Sequence, residues 1–200
     1  MKYMEVEKKD TSGMEVLKKA RKKWLVFYTK SRAEKKTQEM LVKFGFEAYL
    51  PLQTVVRQWS DRKKKIVVPL FNSYIFVNEL ESRIMEVLKV PGVVWSVKYN
   101  GRPAVLRQKD LDTIKRFVET GLFIETHTIE DMDFGDTVEV VDGPLRGTRG
   151  VLTGEYNHEK FTLVMETIGQ TLTVNIDKML LRKIESSEGD NEKVGKGYWN

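Results

Sequence analysis

Two stretches of the sequence decide the predicted fold: residues 69–77, PLFNSYIFV, and residues 135–151, GDTVEVVDGPLRGTRGV. The first is short, apolar and aromatic, which is typical of a buried strand. The second alternates apolar and polar residues, passes through a glycine-rich turn and becomes apolar again, which favours two strands of a small barrel. Because the two patterns differ and lie far apart, we predict two domains of different architecture.

The length and composition of the chain allow this division. The chain has 200 residues, of which 40% are hydrophobic and 32% are charged, so it can bury two small cores. The linker and the tail are predicted from polar, acidic composition with little periodicity. We predict an N-terminal extension at 1–21, a first domain at 22–125, a linker at 126–133, a second domain at 134–184 and a disordered tail at 185–200.

The first domain combines strand and helix patterns. Residues 24–28 are apolar and aromatic, as in a strand, and apolar residues recur at helical spacing over 33–44 and 109–119. The second domain has short β-rich segments separated by Gly, Asn and Asp. We therefore predict an α+β protein, in which an α/β sandwich with helices on a mostly antiparallel sheet is followed by a small SH3-like β-barrel.

The sequence offers little for catalysis or for a membrane. It has no cysteine and only two histidines, His127 and His158, which lie in different parts of the chain. Disulfides and thiolate metal sites are therefore excluded, and neither a Walker loop nor a G-x-G-x-x-G motif follows any predicted strand. The chain also has no bilayer-length apolar run and no signal peptide pattern. We predict a cytoplasmic protein that is not an enzyme and has no metal or cofactor.

The positive charge is concentrated in the first domain. Residues 22–125 contain 20 Lys and Arg against 11 Asp and Glu, a net charge of +9, whereas residues 126–184 contain 6 against 10, a net charge of −4. A basic domain attracts a polyanion such as DNA, although charged turns are often simply solvated, and both readings stay open. The candidate nucleic-acid-binding residues are Lys30, Arg32, Lys35, Lys36, Arg62, Lys63, Lys64 and Lys65, and Trp59 is placed to stack on an unpaired base.

Four segments together resemble the NusG family of transcription factors. They are residues 24–30, 69–77, 100–106 and 135–151, and the resemblance covers about four-fifths of the chain in the family's order. The first domain resembles the family's NGN domain and the second its KOW domain. Pro-Leu-Phe before Tyr-x-Phe-Val is most similar to the specialised paralogues of the RfaH and UpxY kind, which suppress termination in long operons such as those for surface polysaccharides.

The resemblance implies a monomeric, non-enzymatic elongation and antitermination factor that binds the clamp of RNA polymerase and keeps it closed. It places Tyr28, Phe71, Tyr74 and Phe76 in the polymerase contact and implies a second contact with the non-template DNA strand. Tyr74 and Phe76 are two residues apart and therefore share one face of the predicted strand. Aromatic residues on a central strand are more often buried than exposed, so burial in the core is the alternative for these rings.

The second domain offers a different set of candidate residues. Gly143, Gly147 and Gly150 are predicted to serve the tight turns of the barrel. Family members that have an aromatic residue at the position of Ile168 contact ribosomal protein S10 or Rho there. The resemblance therefore implies a partner contact near Ile168 in this chain. The alternative for the whole chain is a KOW-type RNA-binding or ribosome-associated protein, against which the acidic charge of the second domain argues.

Overall fold

We describe the protein from a computed structural model, which covers residues 21–59, 62–129, 134–153 and 160–184. The predicted tail and residues 1–20 of the predicted extension lie outside the described residues. The strands and helices, in chain order, are β1 (Lys23–Thr29), α1 (Glu34–Lys43), β2 (Glu47–Tyr49), β3 (Leu52–Gln58), β4 (Lys63–Pro69), β5 (Tyr74–Glu79), α2 (Ile84–Val87), β6 (Val93–Ser96), β7 (Lys98–Tyr99), β8 (Arg102–Pro103), β9 (Val105–Leu106), α3 (Gln108–Glu119), β10 (Glu125–Thr128), β11 (Phe134–Val140), β12 (Arg149–Thr153), β13 (Lys160–Met165), β14 (Gln170–Val174) and β15 (Leu181–Lys183).

The first domain is built on an antiparallel sheet with helices on both faces. The strand order is β2-β5-β1-β6, and β9 also pairs with β1. On one face Leu25 and Ile75 are buried with residues of α1 and α2, and on the other Val26 and Phe76 are buried with residues of α3. Because successive strand residues point to opposite faces, this arrangement makes β1 and β5 almost continuously apolar.

The start of α1 is tied to the turn that leads into β5. The carboxylate of Glu34 is buried and accepts the backbone N–H of Ser73 at 2.9 Å. Ser73 has a φ of 64°, a conformation that is unfavourable for a residue other than glycine, so this hydrogen bond helps to hold the turn. At its other end α1 stops before Gly45, whose φ of 82° suits a glycine, as the sequence predicts.

Strands β3 and β4 form a separate two-stranded hairpin. Its base is attached to the domain by a backbone hydrogen bond from the Leu70 N–H to the carbonyl oxygen of Pro51. The amide side chain of Gln53 binds both backbone groups of Ile124, at 3.0 and 3.2 Å. The hairpin is thus fixed to the segment that follows α3, while most of its residues toward the turn are exposed.

The second domain is a six-stranded antiparallel sheet in the order β10-β14-β13-β12-β11-β15. Together with the first domain it confirms the α+β fold class. Its apolar face contains Val138, Phe161, Leu172 and Val174, all nearly fully buried. On the other face the hydroxyl groups of three buried threonines, Thr153, Thr162 and Thr173, are hydrogen-bonded in series at 2.6 and 2.9 Å. This chain satisfies polar groups that would be costly to bury alone.

The segment predicted as a linker is partly a strand. Residues 125–128 form β10, which pairs with β14, so the predicted linker at 126–133 is wrong for its first three residues. The sequence Glu-Thr-His-Thr has no apolar alternation because β10 is an edge strand, held by its backbone and by polar side chains. Lys160 Nζ lies 2.7 Å from the carboxylate of Glu125, and the hydroxyl of Thr171 donates to the carbonyl oxygen of His127 at 3.3 Å.

The two domains are in contact through α3. The Phe117 ring of α3 stacks on Phe161 of β13, with ring centroids 6.2 Å apart, and both side chains are buried. Arg116 Nη1 donates to the carbonyl oxygen of Arg146 at 3.3 Å. The apolar cores of the two domains are therefore continuous. In the part of the chain that the structure describes, no helix has the length and apolar character needed to cross a membrane.

The Glu125–Lys160 pair is expected to make the stability of the protein depend on acid. The hydrogen bond from Lys160 is the main cause that lowers the pKa of Glu125 below its ordinary value. A carboxylate whose pKa is lowered by folding contributes stability above its unfolded pKa and loses it as the pH falls through the folded pKa. Because the pair is partly exposed, we expect Glu125→Gln to cost at most about 1 kcal/mol near neutral pH. In urea denaturation, the difference in unfolding free energy between the native protein and Glu125→Gln should be smaller in acid than near neutral pH. An equal difference in acid and near neutral pH would contradict this assignment.

Candidate functional site

Three aromatic side chains form a continuous surface on the first sheet. Tyr28 of β1 is paired with Tyr74 of β5 on one side and with Trp95 of β6 on the other. The rings of Tyr28 and Trp95 are stacked, with centroids 4.4 Å apart and an interplanar angle of 2°. The Tyr74 ring meets Tyr28 edge to face at 5.4 Å. Such cross-strand contacts fix the ring orientations. We call Tyr28, Tyr74 and Trp95 the aromatic strip.

The aromatic strip is accessible to a partner. Trp95 is 51% exposed, and the two tyrosines are half-buried. Partial burial, with a smaller contribution from Tyr28, raises the pKa of Tyr74 above its ordinary value, so its ring stays neutral well above neutral pH. Large, rigid and neutral aromatic side chains contribute most of the binding energy at many protein interfaces. The strip is thus suited to bind another protein.

The sequence prediction named Tyr28 and Tyr74 but missed Trp95. Trp95 lies on β6, next to β1. What the pattern of residues does not show is which part of a sheet face remains uncovered. The sequence signal for Trp95 is a tryptophan on the strand that pairs with the strand of Tyr28. Recognising this signal requires knowledge of which strands pair.

The other two aromatic residues predicted for this surface lie in the core. Phe71 is 1% exposed and Phe76 is fully buried. Both are therefore core residues, which is the alternative that the sequence analysis gave for these rings. Phe76 does share a sheet face with Tyr74, as the spacing predicts. Its ring, however, packs between Phe71 and Tyr49, at centroid distances of 6.1 and 6.4 Å, in the same cluster as the apolar residues of α3.

The basic residues predicted to bind nucleic acid are all exposed. They are Lys30, Arg32, Lys35, Lys36, Arg62, Lys63, Lys64 and Lys65. The structure brings their two groups together, because Lys35 Nζ at the start of α1 donates to the carbonyl oxygen of Val67 in β4 at 2.7 Å. Arg57 lies opposite Lys64 on the hairpin and enlarges the basic surface. The sequence analysis missed Arg57 because it is isolated in the chain. Trp59, beside the hairpin turn, is 58% exposed.

The turn glycines of the second domain adopt the conformations that require glycine. Gly143 and Gly147 have φ angles of 80° and 77°. The N–H of Gly147 donates to the carbonyl oxygen of Val140 at 2.8 Å, which closes the turn between β11 and β12. Ile168 is only 4% exposed and follows β13 in a short turn that lies against β9 of the first domain. In the described arrangement it is therefore not presented to a partner.

Gly150 has no positive φ but has no space for a side chain. A Cβ atom there would lie 2.5 Å from the carbonyl oxygen of Thr162 and 2.7 Å from the Phe161 ring. Because both neighbours are buried, we expect Gly150→Ala to lower the free energy of unfolding by about 1–3 kcal/mol. Gly143→Ala, which meets no atom within 4 Å, should cost about 1 kcal/mol through its φ alone. Urea denaturation of both variants tests this; a Gly150→Ala variant as stable as the native protein would show that the close contact is absent.

The described residues show no cluster of metal ligands. No group of three or more His, Asp and Glu side chains within the described ranges could hold a metal ion. Of the acidic residues near the predicted linker, Asp136 is paired with Lys183 at 2.9 Å, and Asp131 and Asp133 lie outside the described residues. The candidate site therefore consists of the aromatic strip and the basic region.

Comparison with known proteins identifies the class of this first domain. Residues 22–115 match the family model described as "Transcription termination factor nusG". A solved structure described as "Domain interaction in Thermotoga maritima NusG" is similar over 82% of this chain and 98% of that chain, with 22% sequence identity and a TM-score of 0.48. No curated protein matches the chain.

The matched region coincides with the sheet that carries the aromatic strip. Residues 22–115, which contain this sheet, are similar to the NusG family of transcription factors, and the match covers slightly less than half of the chain. The similarity is confined to the first domain; membership of the family, the domain boundaries and the site residues remain predictions.

Proposed function

We propose that this protein is a member of the NusG family and that it binds the clamp of RNA polymerase through its aromatic strip and acts in the cytoplasm as an elongation and antitermination factor. The observation that carries the proposal is the stacked pair of Tyr28 and Trp95, which leaves a tryptophan half exposed on the domain that matches the family. Stacking fixes both rings before binding, so less conformational entropy is lost when a partner covers them.

The effect on transcription follows from selective binding. A factor that binds the closed clamp more tightly than the open clamp shifts the polymerase toward the closed state. Paused and terminating states that need an open clamp then become less populated. Pro69, Leu70 and Phe71 before β5 support a specialised role of the RfaH and UpxY kind, in long operons such as those for surface polysaccharides.

The contact between the two domains leaves the strip accessible. The second domain packs against α3 through Phe161, and Trp95 keeps half of its surface exposed in that arrangement. Polymerase binding through the strip therefore does not require the domains to separate. Contact of Ile168 with ribosomal protein S10 or Rho, in contrast, would require the second domain to leave the first, because Ile168 is buried.

An elongation assay with purified polymerase over a terminator tests the proposed function. We expect the native protein to increase read-through and Tyr74→Ala to reduce that increase, because Tyr74 supports and extends the ring pair. Phe44→Ala is the matched control, since Phe44 is exposed at the C-terminal end of α1 and makes no ring contact with the strip. Equal read-through with and without the native protein would contradict the proposal.

A further inference from the structure

An apolar groove of about 300 Å³ lies where the two domains meet, and we call it the junction groove. The first domain contributes Thr120 and Leu122 at the end of α3, and the second contributes the turn after β11 and the segment between β14 and β15. Its volume is at the lower end of the range of about 300–1,000 Å³ that is usual for ligand sites, so it has room for one or two side chains. Its apolar lining residues are Leu122, Val140, Pro144, Leu145, Ile176 and Leu180.

Two aspartates give the junction groove a negative charge. Asp142 and Asp177 both line it and are exposed, and no Lys or Arg is among its described lining residues. Each accepts one backbone N–H through Oδ1, that of Gly143 at 2.8 Å and that of Met179 at 2.9 Å. Within the described ranges neither carboxylate is paired with a cation. The groove is therefore suited to a partner that combines an apolar side chain with positive charge.

The sequence after β15 contains a segment of this complementary character. Residues 185–192, ESSEGDNE, are polar and acidic, whereas residues 193–199, KVGKGYW, combine two lysines with an adjacent tyrosine and tryptophan. The two rings of this segment suit an apolar groove, and its two lysines carry charge opposite to that of the aspartates. Large aromatic side chains gain free energy when apolar surface covers them, so the groove offers Tyr198 and Trp199 a site.

The segment is also close enough along the chain to reach the junction groove. Leu180 lines the groove, and Ile184 is the last residue that the structure describes. At 3.3–3.4 Å per strand residue, these two residues are at most about 14 Å apart. Tyr198 follows Ile184 by 14 residues, and a flexible chain of that length has an r.m.s. span of about 20 Å. The span of the connecting residues therefore matches the distance that they have to cover.

We infer that residues 193–199 of the same chain occupy the junction groove, with their two rings on its apolar wall and their two lysines beside Asp142 and Asp177. Because both domains line the groove, the bound segment links them and stabilises their contact. The segment of the same chain is favoured over that of a second copy, because a short tether gives it an effective concentration in the millimolar range. The aromatic strip shares no residue with the groove, so the inference goes beyond the proposed function and does not depend on it.

Paramagnetic relaxation enhancement in NMR spectra of the full chain tests the inference without polymerase. The chain has no cysteine, so Asn200→Cys provides a unique site for a nitroxide label next to the two rings. We expect the label to broaden the amide signals of Leu122 and Leu180, compared with the same sample after reduction of the nitroxide. The amide signal of Met85 should keep its intensity, because α2 lies on the face of the first sheet opposite to α3.

Removal of the two rings should release the segment from the groove. We expect Tyr198→Ala combined with Trp199→Ala, in the labelled protein, to return the signals of Leu122 and Leu180 to nearly full intensity. Trp59→Ala is the matched control, since it removes an exposed tryptophan beside the β3–β4 hairpin turn, outside the groove, and should leave the broadening unchanged. The substituted residues lie outside the two cores, so the remaining signals should keep their positions and show that the variants fold.

A second set of variants tests the contribution of charge. Asp142→Asn combined with Asp177→Asn keeps the oxygens that accept the backbone N–H groups but removes both charges, and we expect it to reduce the broadening. Asp112→Asn, which removes an exposed charge of α3 outside the groove, should not change it. Added salt should likewise reduce the broadening in the native sequence, because exposed charges are screened.

Three results would overturn the inference. The first is equal intensity of the groove signals before and after reduction of the nitroxide, and the second is broadening that persists when both rings are removed. The third comes from a mixture of spin-labelled protein without isotope and unlabelled protein enriched in ¹⁵N: broadening of the groove signals in this mixture would assign the site to the segment of a second copy. Because polymerase is absent, these outcomes leave the proposed clamp contact to its own test.

Discussion

Trp95→Ala is expected to weaken binding of purified core RNA polymerase about thirtyfold or more. Trp95 combines the largest ring of the strip with 51% exposure, and stacking on Tyr28 fixes its orientation. Aromatic residues of this kind are typical interface hot spots, which contribute about 2 kcal/mol or more, and each 1.4 kcal/mol is about tenfold in affinity. The measurement is a binding titration on immobilised polymerase.

Phe44→Ala serves as the control for this titration. Phe44 is 56% exposed, much as Trp95 is, but it lies at the end of α1, away from β1 and β6. We expect its removal to leave the affinity unchanged. If Trp95→Ala binds as tightly as the native protein while Phe44→Ala binds weakly, the polymerase contact is on the side of the domain that carries α1 instead.

Phe76→Ala is expected to lower the free energy of unfolding by about 3–5 kcal/mol, which is typical for removal of a fully buried ring. Phe76 has no exposed surface and lies between the rings of Phe71 and Tyr49. Its loss would leave a cavity in the centre of the cluster that the sheet shares with α3. Tyr74→Ala, two residues away on the same face, should cost much less because Tyr74 is only half-buried. Urea denaturation of both variants measures the difference.

This pair of variants distinguishes a core residue from an interface residue. If Phe76→Ala kept its native stability but lost polymerase binding, the ring would have to be exposed in solution, and the described burial would be wrong. If Tyr74→Ala were as destabilised as Phe76→Ala, the aromatic strip would be part of the core rather than a surface.

The strands and helices of the first domain were largely predictable because their sequence patterns are local. The apolar residues Leu111, Ile114 and Phe117 recur at helical spacing and are buried on α3, as predicted. The pairing of Tyr74 and Phe76 on one face likewise follows from the two-residue period of a strand. The match to the family model at residues 22–115 contains three of the four segments that the sequence analysis used, and the fourth, residues 135–151, lies outside it.

What could not be predicted depends on contacts between distant residues. One face of β5 changes from half-buried at Tyr74 to fully buried at Phe76 because other elements cover only part of the sheet. The β10 strand was predicted as a linker because its pairing with β14 uses the backbone and leaves no apolar pattern. The side chains of Arg57 and Phe123 line the same groove only because the hairpin folds against the segment after α3.

The central claim is that the aromatic strip is the surface that meets RNA polymerase, and side-chain oxidation footprinting tests it most directly. The protein would be oxidised by hydroxyl radicals alone and in complex with core polymerase, and the modification of each aromatic residue compared by mass spectrometry. We expect strong protection of Trp95 in the complex, weaker protection of Tyr28 and Tyr74, and none of Phe44. Equal oxidation of Trp95 in the free and bound protein, with protection elsewhere, would contradict the claim.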